Sequence, residues 1–191
     1  MAEYNVGVMA INFLALIFGL FYIPGSIFAI SLYAQRGLNY CILCAAFLNM
    51  LACLLRYYSC LTSSDAGPMF LPVLIGHMIA AFGSPLVVNT PSRVANDWFP
   101  PKERALAVSI MTQANYVGGG LGGLIPAFLV SDPSDIGPML LSHAILAGII
   151  VLFSIVFTPS HPPVHADFDA AYQVELRSDV SAVSTYCQMG R

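Results

Sequence analysis

The chain has 191 residues, of which 58% are hydrophobic and 9% charged, with a formal net charge of −3. Soluble domains carry about 25% charged residues, so this chain has too little polar surface to keep a globule of its size in water. Its slightly acidic balance gives no electrostatic basis for a nucleic-acid partner.

Five apolar stretches follow one another, at about 5–34, 37–55, 66–92, 105–131 and 136–160, and none contains an Asp, Glu, Lys or Arg. A membrane-crossing helix needs about 20 apolar residues, because the hydrocarbon core is about 30 Å thick and a helix rises about 1.5 Å per residue. Inside lipid each backbone N–H and C=O must be bonded within its own segment or in a closed barrel, which selects helices for stretches of this length. The predicted fold class is all-α, a polytopic transmembrane helical bundle, with the lipid bilayer as its first partner.

In chain order, Met1 to Asn5 lacks the basic start of a signal peptide and the following run is too long for one, so a retained helix is expected. Pro24-Gly25 predicts a kink in that helix, since proline removes a backbone hydrogen bond and crowds the preceding turn. The second stretch holds Cys41, Cys44 and Cys53, which read as small hydrophobes at that depth. The third holds His77, which shares a helical face with Ser84. An ionisable group at membrane depth usually faces a bundle interior or cavity, which makes His77 a contact candidate for proton or solute; hydrogen-bonded packing is the other reading.

Beyond Asn89-Thr-Pro91, residues 93–104 form an amphipathic connection. Trp98 and Phe99 suit the headgroup layer. Pro100 and Pro101 can open the next helix without losing a needed N–H, and Glu103 suits its first turn. Arg93 and Asp97 have the i,i+4 spacing of an ion pair, worth about 0.3–0.5 kcal/mol if exposed. In the fourth stretch, Ser109, Thr112, Gln113, Tyr116 and Gly120 share one arc at 100° per residue. Asn115, Gly118, Gly119 and Gly122 lie on a neighbouring side, and Gly123 follows. Small residues at such spacing let another helix approach closely; the polar arc fits either a solute-lined cavity or hydrogen bonding between packed helices. His143 sits in the last stretch. Prolines end that helix, and the tail 159–191 reads as a polar cytosolic linker whose His161, His165 and Asp167 are solvated; neither a metal site nor a cofactor is expected.

Basic residues set the orientation. With the first and third connections and the tail on the cytoplasmic side, Arg36, Arg93, Lys102, Arg104, Arg177 and Arg191 all lie there, and only Arg56 lies outside. Cytoplasmic loops retain Lys and Arg, which favours this arrangement. No acid–base or nucleophile cluster accompanies the histidines, so an enzyme is not expected.

The run 89–130 resembles the signature region of the feline leukaemia virus subgroup C receptor-related carriers, a branch of the major facilitator superfamily. The matching features are Asn89-Thr-Pro91 with a basic residue soon after, Trp98-Phe99-Pro100, Lys102-Glu-Arg104, and the small-residue helix closing on Gly123-Leu-Ile-Pro126. Tyr33-Ala-Gln-Arg36-Gly37-Leu38 is similar to the superfamily's first cytoplasmic loop motif, with Ala34 and Asn39 where an Asp and a basic residue are usual. The resemblance implies two six-helix halves built from inverted repeats, with these five stretches as helices 2 to 6 and the tail as the start of the central linker. Helix 1 and the second half would then lie outside this sequence, so the chain would be a fragment not competent alone.

The resemblance further implies alternating-access transport of a small organic solute, an organic cation such as choline or else haem, in the plasma membrane or an organelle membrane. The substrate-binding candidates are Tyr116, Gln113, Asn115 and His77, with Tyr116 at the place of a substrate-contacting Gln in choline-handling relatives. The helix-packing candidates are Gly118, Gly119, Gly122 and Gly123. The cytoplasmic gating loops would use Arg36, Gly37, Arg93, Asp97 and Arg104. Partners would be the carrier's missing helices or partner subunits. The alternative is a non-transporting membrane protein that assembles through its glycine-rich helix.

Overall fold

A computed structural model describes residues 8–62 and 70–157; the tail 159–191 lies outside them. Among the described residues the regular elements are all helical: α1 Val8–Arg36, α2 Leu38–Leu61, α3 Phe70–Val88, α4 Thr90–Trp98, α5 Arg104–Leu129 and α6 Ile136–Phe157, with a 3-10 turn Pro133–Asp135 before α6. Among the described residues, four segments are long and apolar enough to cross a membrane: Asn12–Arg36, Leu38–Leu61, Phe70–Trp98 and Ile136–Phe157. At most 28% of the most apolar window in any of them is buried inside the chain. Large side chains such as Leu16, Ile30, Phe128 and Val156 are exposed, which in water would be an aggregation surface and in lipid is the expected outer face. The protein is a multi-pass integral membrane protein.

Helix α5 is not among those four. Its 26 residues give about 39 Å, ample for the hydrocarbon core, but Gln113, Asn115 and the glycines from Gly118 to Gly123 dilute its apolar character.

Two boundaries differ from the sequence expectation, each for a local reason. Helix α2 runs on to Leu61 and takes Arg56 into its last third, because the side chain finds a partner on α3. The third stretch is not one helix: α3 ends at Val88 and α4 begins at Thr90, with Asn89 as the turn. Pro91 has no N–H to give the Val87 carbonyl and its ring crowds that position. The neighbouring Leu86 carbonyl accepts from Thr90 Oγ1 at 2.6 Å.

Helices α1, α2 and α3 pack as a trio in which α3 lies against both others, and α6 packs on α2. Glycines set the closest approaches. A Cβ at Gly25 on α1 would collide with the Phe82 carbonyl of α3. At Gly76 it would stand 2.8 Å from the Ala52 carbonyl oxygen of α2, and at Gly83 3.2 Å from Leu48 Cβ. The core between these backbones is small-residue packing around Ala29, Cys41, Ala45 and Leu86. Pro24 is accommodated inside α1, and Ser26 Oγ donates to the Tyr22 carbonyl at 2.9 Å. Helix α5 has a different position: its main neighbour is α4, and Ala107 is its buried residue.

Candidate functional site

Four helices each supply one uncharged polar side chain to a common cavity. Asn49 on α2, Ser84 on α3, Asn115 on α5 and Ser154 on α6 line a cavity of about 510 Å³, with Phe18 of α1 on its wall. The remaining lining is apolar, including Ile42, Ala80, Val87 and Ile150, and it contains no formal charge. This volume is in the range of small-molecule sites. Neutral amides and hydroxyls can orient a polar solute there without the desolvation cost of a buried ion.

Of the expected substrate contacts, Asn115 reaches this cavity. Gln113 and Tyr116, exposed as Asn115 also is, are not in its lining, and Tyr116 is 68% exposed. His77 lies behind the wall. Arg56 Nη2 donates to His77 Nδ1 at 3.3 Å, since a guanidinium has no acceptor. That leaves Nε2–H to donate to the Leu14 carbonyl at 3.1 Å, so the contacts select the Nε2–H tautomer. The imidazole also rests 5.6 Å from the Phe18 ring, centroid to centroid. His77 therefore ties α1, α2 and α3 together and stands beside Phe18, which lines the cavity as His77 does not. His143 is spent locally, its Nδ1 donating to the Met139 carbonyl at 2.8 Å.

The glycines of α5 are bare. A Cβ at Gly118, Gly119, Gly122 or Gly123 would meet nothing within 4 Å among the described residues. Whatever such a face packs against is not one of α1 to α4 or α6 in this arrangement.

The expected gating residues gather at the end where α1 meets α2. Gly37 alone joins those helices, at φ +81°, a left-handed conformation that a Cβ would strain. Arg36 sits over the Tyr40 ring at 5.6 Å and Arg93 over the Tyr33 ring at 6.0 Å. Tyr33 is fixed in turn, its hydroxyl donating to the Leu86 carbonyl at 2.7 Å and lying 2.8 Å from Thr90 Oγ1. Arg104 Nε donates to the Phe99 carbonyl at 3.1 Å and so closes the loop into α5. Asp97 is half-buried on α4.

Sequence reasoning missed Asn49 and Ser154 as cavity residues and Tyr33 as the link between α1 and α3–α4. For Asn49 a signal existed: it is a lone carboxamide inside an apolar stretch, a position that demands a partner or a cavity. Tyr33 and Ser154 gave none, since an aromatic near a helix end and a serine bonded to its own helix are both ordinary.

The family model of the Major Facilitator Superfamily matches residues 1–182. Solute carrier family 49 member A3 of Danio rerio is 30% identical over 149 residues, which is 78% of this chain and 31% of that protein. The choline/ethanolamine transporter FLVCR2 of Homo sapiens is 29% identical over 174 residues, covering 85% of this chain and 32% of its own length. The choline/ethanolamine transporter flvcr2b of Danio rerio is 32% identical over 176 residues, 85% of this chain and 35% of the relative. The chain thus spans about a third of the length of the curated relatives it matches. The resemblance read from 89–130, the helices of the described residues and the family match agree, and this chain belongs to the Major Facilitator Superfamily.

Proposed function

We propose that this chain forms five membrane spans, α1, α2, α3, α5 and α6, of the first half of a carrier for a small organic cation. Transport would proceed by alternating access against helices outside this sequence. In this reading the Gly37 connection, α4 and the tail face the cytoplasm, the tail begins the central linker, and the chain acts as a carrier component and not as an enzyme. The observation that carries the proposal is the uncharged cavity to which Asn49, Ser84, Asn115 and Ser154 converge from four helices.

The chemistry favours a cation over haem. A quaternary ammonium offers no hydrogen-bond donor and is held by aromatic faces and carbonyl oxygens, each cation–π contact being worth about 0.5–2 kcal/mol. Phe18 and the Asn49 and Asn115 amides supply those groups, and Tyr116 stands exposed on the same helix as Asn115. Haem would bring two propionates into a lining with no cation and would find no imidazole there, because neither His77 nor His143 lines the cavity. Choline and ethanolamine are the substrates that the names of two relatives carry, and they match this chemistry.

The test is a chimera in which residues 8–157 replace the corresponding helices of the human choline/ethanolamine transporter. Saturable choline uptake by the chimera, with none by the purified chain alone in liposomes, supports the proposal. A monodisperse, membrane-inserted chimera without uptake overturns it.

The bare glycines of α5 favour one second reading, that the chain assembles with partner membrane proteins without transporting anything. Saturation by choline in the chimera would leave that reading without support.

A further inference from the structure

A second cavity lies at the Gly37 end, between the last turns of α1 and the first turns of α4. It measures about 720 Å³ and is lined by Ala29, Ile30, Tyr33, Ala34, Asn89, Ser92, Arg93 and Asn96. Its composition is unlike that of the solute cavity. One formal charge lines it, the Arg93 guanidinium, and Ser92, Asn89 and Asn96 add a hydroxyl and two carboxamides. No carboxylate is in the lining.

The cation is also positioned. Arg93 lies over the Tyr33 ring, and Tyr33 is anchored to α3 by its hydrogen bond to the Leu86 carbonyl, with its hydroxyl beside Thr90 of α4. At 6.0 Å from that ring's centroid the guanidinium keeps its N–H donors available to an anion. The opposite wall, Ala29, Ile30 and Ala34, is apolar and belongs to a helix that reads as membrane-spanning. Trp98 and Phe99 follow on the same α4 segment and suit the interfacial layer. A positively charged polar pocket with an apolar wall at headgroup depth fits a phosphate that carries a hydrocarbon.

We infer that this cavity binds an anionic phosphate group, held by Arg93, Ser92 and the two asparagines, with a phospholipid headgroup as the source and Ile30 and Ala34 against its first methylenes. A guanidinium pairs bidentately with phosphate oxygens, and such charge-assisted bonds are about twice as strong as neutral ones. The inference depends on neither the cargo nor the orientation proposed above.

The chain contains one tryptophan, Trp98, which lies five residues beyond Arg93, so its fluorescence can report on the pocket. The purified chain in neutral detergent is titrated with dihexanoyl-phosphatidylglycerol, dihexanoyl-phosphatidylcholine and inorganic phosphate. The expected result is saturable binding of the phosphatidylglycerol, with zwitterionic phosphatidylcholine at least several-fold weaker. Arg93→Gln should weaken binding about tenfold, as loss of a charged hydrogen-bonded contact does, and Arg93→Lys should fall between. Unchanged elution and circular dichroism show that each variant is folded. Inorganic phosphate competing only at far higher concentration assigns the source to lipid; phosphate binding as tightly as the lipid assigns the same site to a soluble anion. Equal affinity for both lipids, or Arg93→Gln binding like the parent chain, overturns the inference.

Discussion

The glycines of α1 and α3 and the glycines of α5 are the same residue in the same kind of helix, and the structure uses them in opposite ways. Gly25, Gly76 and Gly83 each face a neighbouring helix so closely that a methyl group would meet backbone or core side chain. Gly118, Gly119, Gly122 and Gly123 face open space among the described residues. In lipid there is no hydrophobic drive between helices, so close packing and interhelical hydrogen bonds must hold them together. The trio α1–α2–α3 has both, since His77 ties all three helices at one end and Tyr33 ties α1 to α3 at the other. Among the described residues helix α5 packs mainly on α4, at Ala107, and its glycine face meets no neighbour. A small-residue face therefore marks where a helix is able to be approached, and only the surrounding fold tells whether the approaching helix belongs to the same chain.

The strongest way to break that comparison is to put bulk on both sides of it. Gly25→Leu should destabilise the detergent-solubilised chain severely, because the obstacle is the Phe82 carbonyl and backbone cannot rotate aside; overpacking of this kind costs about 1–3 kcal/mol or more. Gly119→Leu should leave the isolated chain's thermal midpoint nearly unchanged, since no described neighbour lies within 4 Å. In the chimera the same Gly119→Leu should be disruptive, because there the face would be covered. Equal tolerance of both substitutions in the isolated chain would mean that the trio is looser than these distances indicate.

The polar ties sharpen the comparison at the next level. His77→Ala removes the acceptor of Arg56 and the donor to Leu14 together, leaving a guanidinium without that partner. A loss of about 1–3 kcal/mol is expected from the unsatisfied group, and His77→Gln, which can both accept and donate, should recover part of it. Thermal unfolding followed by circular dichroism measures both. If His77→Ala matches the parent chain, the imidazole is not a tie between helices. Tyr33→Phe keeps the ring under Arg93 and deletes only the hydroxyl that bonds the Leu86 carbonyl. Thr90 still closes that carbonyl at 2.6 Å, so the expected loss is smaller, about 0.5–1.5 kcal/mol.

The sequence carried the class of the fold and much of the family, because charge-free stretches of membrane length admit few solutions and the run 89–130 is a long, specific pattern. It carried less of the packing. His77 was legible as an interior group, but its partners Arg56 and Leu14 lie 21 and 63 residues away, and no local period joins them. Asn115 was legible as a polar residue on α5, yet the other cavity groups come one per helix, so no single stretch shows a cluster. Arg56 looked like a loop residue because charge usually ends a span. Its long side chain instead lets α2 continue for another turn and a half, with the head reaching His77.

The smallest expected effect decides which face of α5 meets the solute. Asn115 lines the 510 Å³ cavity, whereas Gln113 and Tyr116 are not in its lining. If the cavity of this chain is the site, Asn115→Ala in the chimera should raise the KM for choline several-fold, as loss of one neutral contact worth about 0.5–1.5 kcal/mol would do. Tyr116→Ala should then change KM less than Asn115→Ala does. If Tyr116 instead faces solute contributed from the other half, its removal should weaken choline more than neutral ethanolamine analogues, because a cation–π contact acts on the charge. Uptake kinetics with both variants and both solutes separate the two faces. Identical KM values for the parent and both variants would remove α5 from the site and leave it as a packing helix.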